Sequence, residues 1–323
     1  MGYSAILLVG GFGTRLHPLT KSTPKPMLKV AGVPFLEHQI VQARRAGISE
    51  IVLATSFMAE TFEPHFGDGS RFGITIRYAV ETSALGTGGA IKNASQLLTG
   101  TGPVIIFNGD VLSGHDLAAQ ISFHEMSQAK VTLYLTTVAD ARAYGAVELD
   151  DTNRVLAFNE KMENPPTNTI NAGCYVFERE IISRIPEGKV VSVEREVFPE
   201  LLAHQVRVMG FVDQAYWLDI GTPQALLKAS QDLVTGAIFS DATPLHDGDF
   251  LCLSHTEIAP SATINQGTVI GEGSSIGMRA SLSGCIIGSG VKVNEDCMLI
   301  NCFVADNCEI PAATIAEYSF FNY

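Results

Sequence analysis

Positive charge is scarce in this chain. Twenty-one Lys and Arg stand against 34 Asp and Glu, a formal net charge of −13 over 323 residues. Such a surface repels a phosphodiester backbone over most of its area, which argues against a nucleic-acid partner. Any anionic ligand must then be held by a local basic pocket or by a metal ion. Long hydrophobic runs are absent too: no apolar stretch approaches the roughly 18 to 20 residues of a membrane helix, so no membrane partner is expected. The chain enters a strand almost at once, without a basic leader and cleavage site, and a cytoplasmic location is expected. None of the six cysteines forms a Cys-x-x-Cys pair, which disfavours a zinc site. Five of them fall in the last quarter and read as small, reduced, buried residues of a repeat. Gly-x-x-x-x-Gly-Lys-Ser/Thr and Gly-x-Gly-x-x-Gly are also missing, which excludes a P-loop and the dinucleotide fingerprint.

What is present starts with Ala5–Val9, a short apolar run that reads as a strand buried on both faces. It enters Gly10-Gly11-Phe12-Gly13-Thr14-Arg15, followed ten residues on by Pro24-Lys25-Pro26. Three glycines leave backbone N–H groups unshielded, and Arg15 and Lys25 supply fixed positive charge, as a nucleoside triphosphate requires. A tight strand-to-helix turn would use glycines in the same way. The two linked segments, Leu8 to Leu16 and Thr23-Pro24-Lys25-Pro26-Met27, resemble the signature of the sugar-nucleotide pyrophosphorylases, nucleotidyltransferases that act on sugar 1-phosphates. The Leu8-Val9-Gly10-Gly11 opening is similar to that of the mannose-1-phosphate guanylyltransferases among them.

The order of elements agrees with that fold. A helix with Leu36, Ile40 and Ala43 on one face ends at Gly47, and Ile51–Ala54 follows as a buried strand. This β-α-β alternation predicts a doubly wound, Rossmann-like mixed sheet with ligands beyond the carboxyl ends of its strands. Glu81 precedes a second glycine cluster, Gly86-Thr87-Gly88-Gly89, which opens a helix. Read alone it is a tight helix entry; the resemblance implies that this segment lies against the base, with Glu81 accepting from the N1–H and exocyclic amine of guanine. Val104–Phe107 ends in Asn108-Gly109-Asp110. A carboxylate there is either a turn residue or, beside a triphosphate loop, a Mg²⁺ ligand. The segment His115–Gln128 reads as an amphipathic helix whose histidines pack or face solvent.

The resemblance implies further roles. Val9, Gly10, Gly11, Gly13, Thr14, Gly86, Thr87, Asn108 and Gly109 would bind nucleotide, and Arg15 and Lys25 would be catalytic. Gly145, Glu160, Lys161 and Asn171 would form the sugar-phosphate half. Asn171-Ala172-Gly173 is expected to open a strand at Cys174. Met162 stands where the family has proline after the Glu-Lys pair. Asp219, ahead of the Thr222 cap and Pro223, would be the second Mg²⁺ ligand; by itself it reads as a capping or turn residue.

Residues 1–235 are therefore expected as a nucleotidyltransferase domain and 236–255 as a connector. Residues 256–323 carry a six-residue beat, Ile258, Ile264, Ile270, Ile276 and Leu282, which slips by one and resumes at Ile287, Val293 and Leu299. Hexapeptide periodicity predicts a short left-handed parallel β-helix of three to four coils. So short a stack exposes its ends, and a homo-oligomer contact through it is expected. The expected activity is nucleotidyl transfer from GTP to mannose 1-phosphate with release of pyrophosphate. The alternatives are UTP or dTTP with glucose 1-phosphate, or a regulatory subunit that senses sugar nucleotides. An acyltransferase is disfavoured because the repeat offers only His255, at its edge.

Overall fold

The computed structural model describes residues 2–56 and 58–322. By internal contacts the chain divides into two compact units. One consists of Met1–Gly13, Thr20–Pro26 and Gln39–Trp217, the other of Thr14–Leu19, Met27–His38 and Leu218–Tyr323.

The first unit is built on a nine-stranded mixed sheet: β1 (Tyr3–Leu8), β2 (Ile48–Thr55), β3 (Thr75–Val80), β4 (Val104–Asn108), β5 (Val131–Thr137), β6 (Gly145–Leu149), β7 (Val155–Glu160), β8 (Thr169–Phe177) and β9 (Val208–Val212). Along the main path the order is β7-β6-β8-β4-β1-β2-β3, with β5 between β8 and β9. β1 runs parallel to both neighbours, and Ala5, Ile6 and Leu7 are wholly buried, as a continuous apolar run in a covered sheet must be. β8 is antiparallel to β4, β5 and β6. It begins at Thr169, not at Cys174, because a register shift between Asn171 and Tyr175, with Gly173 at φ 80°, lets one strand continue through the segment expected to lead into it.

Helix α1 (Phe35–Arg45) buries Leu36, Ile40 and Ala43 completely, and Gly47 follows at φ 85°. α2 (Gly86–Ser95) starts at the second glycine cluster. α3 (Leu117–Met126) is shorter than the sequence suggested, because the Asp116 carboxylate caps it by accepting from Ala119 N at 2.9 Å. His115 precedes this helix and His124 lies within it, and both are buried. His115 stacks on Tyr134 with ring centroids 4.0 Å apart, and burial pushes its pKa down to about 4.

In the second unit, α4 (Pro223–Val234) is capped by Thr222, whose hydroxyl accepts from Ala225 N. Its Ser230 hydroxyl accepts from Ala31 N at 3.0 Å, tying the helix to the Lys29–Val30 and Val33–Pro34 hairpin. The remainder is a three-faced parallel coil of the left-handed β-helix type, with five rungs on one face and four on each of the others. Its first rung is Leu251–Cys252. The slip seen at Leu282–Ile287 recurs: Ile270 pairs with Ile287 and Ile287 with Val304, so one corner of each of these coils takes five residues where the others take six. Thr268, Cys285 and Cys302 stack inside that corner. The Thr268 hydroxyl accepts from Cys285 N, and Cys285 Sγ from Cys302 N. The cysteines are thus small fillers that also satisfy the backbone of the next coil, and all six are free thiols. Among the described residues no helix is long and apolar enough to cross a membrane.

At the amino end of β2, Glu50 is nearly buried and accepts from Ser4 Oγ, Thr99 N, Thr99 Oγ1 and the Arg77 guanidinium. Burial alone would raise its pKa, but these donors outweigh it and hold the carboxyl below 4.5. Replacing Glu50 with Ala should cost about 2–4 kcal/mol at pH 7, since several donors lose their partner. Because the folded pKa is the lower one, the contribution is complete above the unfolded value and disappears as pH falls through the folded value. Urea titrations of wild type and Glu50→Ala should therefore differ most near neutrality, and the difference should shrink as pH falls through the lowered folded pKa of Glu50.

Candidate active site

The parallel register sets Leu8 beside both Ala54 and Asn108, so the chain leaves β1, β2 and β4 at one level of the sheet. Val9 N donates to Ala54 O, and Gly109 N to Leu8 O. The three exits and the start of α2 enclose a cleft of 660 Å³. Of the expected nucleotide residues, Val9, Gly10, Gly11, Glu81, Gly86, Thr87, Asn108 and Gly109 line it, together with Lys25 and Asp110.

The glycines there do two different things. At Gly11 an added Cβ would meet no atom within 4 Å; the bare backbone faces open cleft. At Gly10 it would come within 2.6 Å of Ser56 Oγ, whose hydroxyl donates to Gly10 O. A Cβ at Gly109 would run into the Leu8 carbonyl, and one at Gly86 would lie 2.6 Å from Val191 O. Only Gly11 has the geometry of a residue kept bare for a ligand; the others are glycine because protein approaches protein. Gly13 does not line the cleft: at φ 60° it turns the loop, and its carbonyl accepts from Thr20 Oγ1 at 2.8 Å.

Lys25 Nζ lies 2.9 Å from Asp110 Oδ2, with the lysine side chain nearly buried and the aspartate 38% exposed. The turn that carries Asp110 is held from α1, where Gln39 Nε2 donates to Asn108 O at 2.8 Å and to Val111 O at 3.1 Å. Among the described residues no group of three or more His, Cys, Asp or Glu could cage a metal. Asp110 fits the style of a Mg²⁺ site that keeps one or two carboxylates and fills the rest of its shell with phosphate oxygens and water. Glu81 accepts from Leu85 N at 3.1 Å, and burial raises its pKa against that hydrogen bond.

Of the four residues expected to hold sugar phosphate, Gly145, Glu160 and Asn171 lie on neighbouring strands and Lys161 directly follows β7. Gly145 pairs with Glu160, and Ile170, beside Asn171, pairs with Ala146. A Cβ at Gly145 would press on Phe158 at 2.7 Å and on Glu160 Oε2 at 3.0 Å, so glycine makes room for both. Lys161 stands at φ 48° with its amine 3.6 Å from Glu160 Oε1. Asn171 donates to Tyr175 Oη at 2.8 Å and accepts from Gly173 N. Thr14, Arg15 and Asp219 belong to the second unit. There the Arg15 guanidinium lies over Gly221, where a Cβ would come within 2.9 Å of it.

Sequence reasoning missed Ser56, Met58 and Thr82–Ala84, which also line the cleft. Met58 is a non-glycine at φ 52°, and nothing in the local sequence announces that conformation. Ser56 could have been found as the residue leaving a parallel strand next to the glycine loop.

A mixed α/β sheet with a bare glycine loop, a Lys–Asp pair and a helix start around one cleft defines a nucleotide-binding α/β domain. The chain belongs to the nucleotidyl transferase family, whose model matches residues 4–236. A mannose-1-phosphate guanylyltransferase of Mycobacterium tuberculosis is 50% identical over 297 residues, which cover 91% of this chain and 82% of that protein. A probable mannose-1-phosphate guanylyltransferase 3 of Oryza sativa is 35% identical over 90% of this chain and 80% of its own. Two solved structures share the fold over 71% of this chain. A putative glucose-1-phosphate thymidylyltransferase from Bacillus anthracis, in complex with a sucrose, has a TM-score of 0.65 at 23% identity and is covered to 94%. HddC from Yersinia pseudotuberculosis complexed with GMP-PN has a TM-score of 0.61 at 29% identity and is covered to 99%.

Gly109→Ala should displace Asn108 and Asp110 together, because the Leu8 carbonyl it would strike belongs to the central strand and cannot rotate away. Turnover should fall by about 10²-fold, the order that misplacement of a reacting group produces. Steady-state assays on folded variant, compared with Gly11→Ala, separate turn geometry from ligand clearance: the second should raise nucleotide KM more than it lowers kcat.

Proposed function

We propose that this chain transfers a guanylyl group from GTP to mannose 1-phosphate, forming GDP-mannose and releasing pyrophosphate. The observation that carries the reading is Lys25 paired to Asp110 at 2.9 Å in the cleft that the bare Gly11 backbone faces. The choice of base and sugar rests on the two guanylyltransferase relatives. The attacking group is already an ionised phosphate oxygen, so no general base is needed. The demand is for alignment and for neutralisation of charge on the α-phosphoryl group and the departing pyrophosphate.

Gly10 and Gly11 would present backbone to the phosphates, Lys25 would neutralise them, and Glu81 would read guanine. Asp110 would hold Mg²⁺, which when bound supplies charge neutralisation at the transferring phosphoryl. Glu160 would take sugar hydroxyls, Lys161 the sugar phosphate, and Asn171 a hydroxyl or that phosphate. The roles of Arg15 as a catalytic cation and Asp219 as a second Mg²⁺ carboxylate rest on the family resemblance. In the same reading residues 1–235 carry the chemistry, 236–255 connect, and 256–323 mediate self-association. Ile258 and Ile315, 37% and 77% exposed on the coil, suit that last role, and light scattering at micromolar concentration would overturn it by returning the mass of a monomer.

The direct test is pyrophosphate release with Mg²⁺ over a grid of GTP, UTP, dTTP, ATP and CTP against mannose, glucose and N-acetylglucosamine 1-phosphates. GTP with mannose 1-phosphate should dominate; turnover with another pair reassigns specificity, and silence from a protein that binds sugar nucleotide would make it a sensor. Asp110→Asn and Arg15→Ala should lower kcat by about 10² to 10³ with smaller changes in KM. Lys161→Ala should raise the KM for the sugar phosphate more than for the triphosphate, and a uniform rise would remove Lys161 from that role.

A further inference from the structure

The glycines that open α2 are explained by a strap that crosses them. Val191 O accepts from Gly88 N at 2.8 Å and from Gly89 N at 3.4 Å, and Val191 N donates to Leu85 O at 2.9 Å. A Cβ at Gly86 or Gly88 would press on Val191, and one at Gly89 on the Lys189 carbonyl. Two of the N–H groups that a helix start leaves free are therefore taken by protein. Beyond Val191 the chain enters a π-helical turn, Val193–Val197, a rare conformation that is often found at functional sites. Ser192 closes this turn from both sides: its hydroxyl accepts from Arg195 N and its N–H donates to Glu196 Oε1.

Glu194 is the product of that turn. Its Oε2 accepts from Thr87 Oγ1 at 2.8 Å and from Ser192 Oγ at 2.9 Å, while Thr87 Oγ1 accepts from Val193 N at 2.9 Å. The Thr87 hydroxyl has one proton, and that proton is committed to Glu194. Thr87 lines the cleft, whereas Glu194 does not. We infer that Glu194 is a positioning residue: it acts through Thr87 to fix the first turn of α2 at the nucleotide end of the cleft, and it sets nucleotide affinity without touching the nucleotide. Its carboxylate also occupies the positive end of the helix, which makes that end a poor seat for phosphate and leaves it to the base. This rests on the reading of the cleft as a nucleotide site and adds to it a residue more than a hundred positions from Thr87 in sequence.

The test is a double-mutant cycle in the full chain with Mg²⁺, using the triphosphate that wild type turns over and, in parallel, calorimetric binding of that triphosphate. Glu194→Ala should raise both KM and Kd for the triphosphate about tenfold, the equivalent of one strong hydrogen bond, while KM for the sugar phosphate stays within about twofold. Glu194→Gln keeps an acceptor oxygen and should restore most of the loss. Thr87→Val should reproduce Glu194→Ala, and the double variant should be no worse than either single one. Equal rises for both substrates, additive losses, or a Gln variant as weak as Ala would overturn the role. Should no substrate pair turn over in wild type, the transferase reading fails separately, and the same comparison of Kd values for GTP decides whether Glu194 positions Thr87.

Discussion

The cleft depends on one constraint, the parallel registration of β1 between β2 and β4. With Leu8 level with both Ala54 and Asn108, three consecutive exits of the sheet open at one height, and the backbone bonds Val9 to Ala54 and Gly109 to Leu8 hold them there. β1 is covered on both faces, so a shift by one residue would swap the side chains fitted to each face. Ala5, Ile6 and Leu7, all fully buried, therefore lock the height at which Gly10, Gly11 and Asp110 emerge. Core packing and placement of the candidate catalytic groups are here the same requirement.

Charge is distributed with similar economy of position. The chain is acidic overall, yet its cleft brings one ammonium, Lys25, against one carboxylate, Asp110, in a half-buried contact. Desolvation falls mainly on the nearly buried lysine, and the pair is held by geometry supplied from elsewhere, here by Gln39 reaching from α1 to the turn that carries Asp110. The net charge of the chain disfavours polyanions at large, while the cleft keeps a cation of its own.

In the second unit, regularity comes from stacking. The corner column Thr268, Cys285, Cys302 shows how a repeat satisfies its own backbone: each side chain fills the coil and accepts an N–H from the coil above. Threonine and cysteine serve alike there because both are small and carry one acceptor atom on Cβ. This accounts for Cys285 and Cys302 as free thiols within the coil.

The elements were legible because local signals specify them. Alternation of apolar runs with glycine and proline marked β1, β2, β4, α1 and α4, the Thr222–Pro223 cap fell where its chemistry demands, and the hexapeptide beat marked the coil. Gly10, Gly11, Lys25 and Asp110 could be picked out because phosphate and metal chemistry restricts which residue types can serve, and Val9 and Glu81 through the family resemblance. What the sequence could not carry was the reason for each glycine. Gly11 and Gly86 look alike in a string of letters; one faces open cleft, and the other is pressed by Val191, which only the folded chain brings there. The same holds for Met58 in its left-handed conformation, the continuous course of β8 through Asn171, and Glu194 holding Thr87. Propensity, periodicity and capping act over a few residues and can be read along the chain. Close approach between distant segments is a property of packing, and tertiary structure alone decides it.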